Sequence, residues 1–198
     1  LAIKLLNKNH TILDLGCSTG TTLININKIL SKKSKKKYKF IGIDNSTPMI
    51  EIAKRKIKNV KNKNSFSFKV SDLKNFSIRG KIGVCFMHYT LQFIRPLDRL
   101  KVLKNLNAQM SDGGSFILLE KVLSNDSMFN RTFIDIFHEY KTNQGYTDTE
   151  IQKKREALEN VLIPYRTEEN VELLKEAGFK KTEIFFKWFN WVGILAIK

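Results

Sequence analysis

Apolar positions along this chain change their spacing again and again, from a period near two to one near 3.6. "TILDL" (11–15) is a short apolar strand, and the pattern after it fits a helix over roughly 19–31. "YKFIGID" (38–44) predicts a second strand. "STPMIEIAKRKIKN" then opens with Ser46 or Thr47 as N-cap and Pro48 in the first turn, which marks a helix start. "SFSFKV" (65–70) alternates as a third strand, and "KIGVCFMH" (81–88) reads as a buried fourth. "PLDRLKVLKNLNAQM" is an amphipathic helix closed by the turn "SDGG", and "SFILLEKV" (115–122) is a fifth strand.

Beyond residue 123 the alternation stops. "SMFNRTFIDIFHEYKTNQGY" and "DTEIQKKREALENVL" predict two consecutive helices with no strand between them. "TEENVELLKEAGF" is a helix with Gly178 as its C-terminal cap, and "KTEIFFKWF" and "WVGILAIK" form a closing strand pair joined near Asn190. Strands alternating with helices predict an α/β domain: a mostly parallel sheet with helices on both faces. The 126–163 pair is then a helical insertion over one edge. No repeat or linker interrupts the pattern, and the length suits a single domain spanning 1–198. The chain opens at Leu1, and "LAIKLLNKN" reads as the tail of a helix that begins upstream.

Composition adds little to that outline. The formal net charge of +16 comes almost wholly from lysine. Such a balance fits a polyanion partner. However, the densest run, "SKKSKKKYK" (31–39), falls between a helix and a strand and has a single aromatic. A solvated loop explains it better than a nucleic-acid site. Cys17 and Cys85 give neither metal spacing nor a disulfide framework, which reads as reduced thiols of a cytoplasmic protein. His10, His88 and His138 are too scattered to argue a metal centre, and no apolar run is long enough for a membrane span.

Candidate chemistry sits at the strand ends. In sheets of this kind ligands lie beyond the carboxyl ends of the strands. "DLGCSTG" stands at such an end, where Gly16 and Gly20 let backbone turn sharply and approach a ligand. It lacks the Gly-Lys-Ser/Thr of a phosphate loop, and its glycines are spaced G-x-x-x-G. Asp44 closes the second strand, one strand–helix–strand unit later, where a carboxylate accepts from two ribose hydroxyls. Asp72 closes the third, where an adenine amino group needs an acceptor. A small-residue loop, a ribose acid and an adenine acid, with no pyrophosphate clamp, favour S-adenosylmethionine over NAD.

With these motifs the chain resembles the class I S-adenosylmethionine-dependent methyltransferases and, within them, the carboxy-S-adenosyl-L-methionine synthase family. The likeness rests on "DLGCSTG", "GIDNSTPMIE", "YTLQFI" and "SDGGSFILLEK", and most specifically on "YKTNQGYTDTEIQKKREALENVL" and "LLKEAGF…WFNW". It implies a Rossmann-like three-layer sandwich whose seven-stranded, mostly parallel sheet has an antiparallel last strand. It implies carboxylation of the S-adenosylmethionine methyl group by prephenate, leaving phenylpyruvate, in the service of wobble-uridine modification in tRNA. The cofactor is S-adenosylmethionine or its carboxylated product, without a metal. The partners are prephenate and a second copy in a homodimer, with no membrane and no direct nucleic-acid contact required.

By the same resemblance Gly16, Cys17 and Ser18 hold the amino-acid end of the cofactor. Asp44 and Asn45 take the ribose, and Asp72 and Leu73 bracket the adenine. His88 stands where the family more often has asparagine, and Arg155 matches the arginine that binds the new carboxylate, the catalytic assignment of the set. Tyr89, Gln92 and Tyr146 are softer candidates. The family also uses a tyrosine from an N-terminal segment that does not occur in this sequence. Two other readings stay open on the residues alone: a conventional methyltransferase acting on a small molecule or tRNA, and a non-catalytic RNA-binding protein.

Overall fold

The computed structural model describes residue 4 and residues 11–33, 36–60 and 64–198. The helix tail expected at 1–9, His10, and two residues of the lysine run therefore lie outside the described residues, Lys4 apart. The parallel part of the sheet comprises β1 (Thr11–Leu15), β2 (Lys39–Asp44), β3 (Ser65–Val70), β4 (Ile82–His88) and β5 (Met110–Leu123). Between them run α1 (Thr21–Lys33), α2 (Thr47–Lys58) and α3 (Pro96–Gln109). The second half adds α4 (Ser127–Asn143), α5 (Asp148–Leu158), β6 (Tyr165–Arg166), α6 (Thr167–Glu176), β7 (Lys181–Trp188) and β8 (Trp191–Ile197).

The strand order is β3-β2-β1-β4-β5-β8-β7, with β8 antiparallel to both of its neighbours. The expected architecture is the observed one, with one addition. Two-residue β6 pairs with the end of β5 and makes an eighth strand, too short to leave a hydrophobic period in the sequence.

Strand alternation sorts the core into two layers. Leu13, Leu15, Ile41, Ile43, Cys85 and Met87 face α3 and α6 through Val102, Leu103, Leu106 and Leu174. Ile12, Phe40, Val84, Phe86 and Ile117 face α1 and α2 through Leu23, Leu30, Ile50 and Ala53. Helices thus cover both faces, and the carboxyl ends of the parallel strands are left to the loops.

One local expectation is corrected. "SDGG" does not separate α3 from β5 but is looped out within β5. Ile82 pairs with Met110 and Val84 with Ser115, so the strand takes up the extra residues as a bulge. The insertion sits at the β7 edge of the sheet, as expected. Its α4 packs on the β7–β8 turn, through Phe133 on Phe189 and Phe137 on Trp188 and Trp191. Of the two N-cap candidates Ser46 takes the position, but its side chain makes no cap bond; its N–H donates to Asp44 Oδ1 at 2.9 Å.

Candidate active site

The sheet reverses its order between β1 and β4, which flank each other while β2 and β5 lie on opposite sides. Such a switch leaves a crevice at the carboxyl ends. A cavity of about 480 Å³ opens there, within the range that holds a small organic ligand. Gly16, Ser18, Asp44, Asn45, Asp72, Leu73 and His88 all line it.

The loop after β1 is built for close approach. Gly16 has φ +77°, and a Cβ there would stand 2.1 Å from Thr90 Oγ1. Its N–H donates to Ile43 O at 2.8 Å, so the chain folds back over the end of β2. Ser18 follows with φ +47°, and its N–H donates to Asp44 Oδ2 at 2.8 Å. Asp44 therefore ties two loops together while its remaining lone pairs face the cavity. Tyr89, across the cavity, also has a left-handed backbone, at φ +55°. Non-glycine residues adopt this conformation only where the surroundings enforce it, and two of them meet at one cavity.

Asp72 Oδ1 accepts the Lys74 N–H at 2.8 Å, and the Lys74 ammonium lies 3.7 Å from both Asp72 and Asp98. Leu73 supplies an apolar wall. His88 closes β4 edge-on to Phe86, with ring centroids 5.4 Å apart. Burial lowers its pKa, so the ring is neutral near pH 7, and its Nε2 is buried without a hydrogen-bond partner. That orphaned nitrogen, the bare glycine turn and the two strand-end carboxylates fit an adenosine-bearing cation.

Residues 6–178 match the protein family described as "Methyltransferase domain". The chain is 42% identical over 193 residues to the carboxy-S-adenosyl-L-methionine synthase of Desulfotalea psychrophila, covering 98% of this chain and 77% of that protein. It is 42% identical over 197 residues to the synthase of Nautilia profundicola, covering 98% and 79%. The chain belongs to the carboxy-S-adenosyl-L-methionine synthase family. Among solved structures it is similar to the YcgJ protein of Bacillus subtilis. The TM-score is 0.67 at 13% identity, over 99% of this chain and 95% of that one. An S-adenosylmethionine-dependent methyltransferase of Clostridium acetobutylicum gives a TM-score of 0.63 at 16% identity, over 99% and 87%. These likenesses establish the methyltransferase fold.

Four residues that the synthase-family resemblance singles out stand elsewhere than the cavity wall. Cys17 sends its side chain into the core, next to Gly42, and burial with Asp14 and Asp44 nearby pushes its thiol far up. Gln92 is buried behind the wall, not at the mouth: its Oε1 accepts the Lys121 N–H at 3.0 Å. Tyr146 is 52% exposed, neither core nor lining. Arg155 is exposed on α5 and does not line the cavity; Lys121, at the end of β5, has its pKa lowered by burial first and then by the Arg155 charge.

The sequence reading missed much of the opposite wall. Thr90, Phe93, Ile94 and Arg95 line it, all from "YTLQFIRP", the loop after β4 whose place at a carboxyl end was the available signal. It also missed Asp14, 2% exposed and raised to about 7 by burial and then by Asp44. Behind the wall lies Glu120, which burial pushes up to about 8 against the pull of three backbone N–H bonds and Arg99. Among the described residues no group of three or more His, Cys, Asp or Glu is placed to hold a metal ion, and no helix is long and apolar enough to cross a membrane.

Proposed function

We propose that the chain converts S-adenosyl-L-methionine and prephenate to carboxy-S-adenosyl-L-methionine and phenylpyruvate, for modification of the tRNA wobble uridine. One observation carries the reading. In a chain 42% identical to a protein of that name, Gly16, Asp44, Asp72 and His88 converge on one cavity at the sheet's switch point.

When bound, S-adenosylmethionine supplies a sulfonium whose attached methyl hydrogens are acidified. The chain's own part is placement. Gly16 and Ser18 seat the amino-acid end, with Cys17 contributing only shape from below. Asp44, its carboxylate already aimed by the Ser18 and Ser46 N–H groups, accepts from the ribose, with Asn45 beside it. Asp72 and Leu73 take the adenine. His88 presents a neutral ring nitrogen, and a neutral ring does not repel a sulfonium.

Arg155 is the proposed carboxylate holder, since a guanidinium is always charged and grips both oxygens in a fork. Its charge is felt at Lys121, one residue past Glu120 near the carboxyl end of β5. The reading requires it to reach the cavity's contents, from its own copy or from the second copy of the homodimer that we also propose. Its exposure favours a second reading, conventional methyl transfer, in which no carboxylate needs a cation.

Incubation with S-adenosylmethionine and prephenate, followed by mass spectrometry, separates the two. A carboxylated cofactor is expected, and Arg155→Leu should abolish it while S-adenosylmethionine affinity is mostly kept. A methylated acceptor with S-adenosylhomocysteine, and no carboxylated product, overturns the proposal.

A further inference from the structure

Two buried ionisable side chains, an acid and a base, seize the same turn behind the cavity wall. Glu120 of β5 is 2% exposed. Its Oε1 accepts the Thr90 and Leu91 N–H groups at 3.1 and 3.0 Å, and its Oε2 accepts the Gln92 N–H at 2.9 Å. Arg99 of α3 is 1% exposed, and its guanidinium lies 4.1 Å over the Tyr165 ring. Its Nε donates to Ile94 O at 2.9 Å, and its Nη2 donates to Gln92 O at 3.3 Å and Ile163 O at 2.6 Å. Gln92 is the node between them. Its carbonyl also accepts the Ile163 N–H at 2.9 Å, and its side chain holds the Lys121 N–H.

Stability alone is a poor reason for this arrangement. Burying ionisable groups is costly, and well-packed apolar residues in their place are often neutral or stabilising. What the two side chains hold is the segment that forms the cavity's far wall. Thr90, first in the Glu120 grip, is the residue whose side chain meets Gly16. Phe93, Ile94 and Arg95 continue the lining, and Ile94 is tied by Arg99. The other end of the network, Ile163 and Tyr165, is where the helical insertion bearing Arg155 returns to the sheet.

We infer that Glu120 and Arg99 are positioning residues. Together they press the 89–95 wall onto the glycine loop and couple it to the closing end of the insertion. Occupancy of the cavity and the placement of α5 are then set by one buried network. The inference rests on the reading of the cavity as the S-adenosylmethionine site, and its test keeps the two apart.

Glu120→Gln keeps the shape of the side chain but replaces an acceptor oxygen with a donor, leaving at least one wall N–H unmatched. Titrated calorimetrically with S-adenosylmethionine, well below its own melting midpoint, this variant should bind about tenfold more weakly. In the ligand-free protein the Ile163 amide, which Glu120 does not touch, should exchange its hydrogen on the order of tenfold faster. Amides of β2 should keep their wild-type rates, a pattern that general loosening would not give.

Wild-type affinity and wild-type Ile163 exchange in a folded Glu120→Gln overturn the inference. If Glu120→Gln does not fold, Arg99→Lys, which keeps the charge and loses the fork, decides by the same two readouts. Asp44→Asn serves as the control. If it binds S-adenosylmethionine like the wild type, the cavity assignment falls, while faster Ile163 exchange in Glu120→Gln still establishes the coupling.

Discussion

Gly16 and Thr90 lie 74 positions apart in the chain and share one small space, which makes residue 16 the most exacting position in the cavity. A methyl group there meets the Thr90 side chain and a left-handed backbone at once. Gly16→Ala should therefore cost roughly 2 kcal/mol or more, from backbone strain and overpacking together. Chemical denaturation measures that loss, and a calorimetric titration should show S-adenosylmethionine binding sharply weakened. Asp14 sets a pH dependence. Its folded-state pKa is raised, from 3.8 to about 7. Between those values the native chain keeps a proton that the unfolded chain has lost, so stability present at low pH drains away as pH rises. The slope from this one group is roughly 1.4 kcal/mol per pH unit. Urea midpoints across that range should fall less steeply in Asp14→Asn, the remainder coming from other raised carboxyls such as Glu120.

At the scale of elements, α5 matters because it carries Arg155 and has little to hold it. Of its residues only Ile151 is buried. Its start is fixed by a reciprocal cap: the Glu150 N–H donates to Thr147 Oγ1 at 3.3 Å, and the Thr147 N–H donates to Glu150 Oε2 at 2.9 Å. Thr147→Ala should cost the helix about 1 kcal/mol. The checks are faster amide exchange across α5 and reduced prephenate-dependent turnover, at unchanged S-adenosylmethionine affinity. Elements with a clean period were the legible ones: β3 appears at Ser65–Val70, the bounds its alternation gives. The bulge in β5 was not legible, because Gly113 and Gly114 read as a turn whether or not the strand resumes its pairing beyond them. Asp44 and Asp72 could be placed because strand ends define the crevice. Cys17 could not be placed within its own loop, since whether its side chain turns to the ligand or the core depends on Gly42 leaving room beneath it. Glu120 escaped for a like reason: a lone acid at a strand end does not announce which backbone it will meet.

The molecule as a whole is a two-faced core with its chemistry confined to one end, where the strand order reverses and the insertion sits. Cys17 lies under the cofactor loop and Cys85 in the middle of β4, both buried, and both thiols are pushed up by their surroundings. A maleimide attacks only a deprotonated, reachable sulfur. The folded chain should resist labelling that the denatured chain accepts at once, and peptide mass mapping should show Cys17 modified before Cys85 as the first loop opens. Added S-adenosylmethionine should slow the first event and spare the second. Two buried thiols would then serve as two timers, one reporting the opening of the glycine loop and one the collapse of the fold, read with a single alkylating reagent.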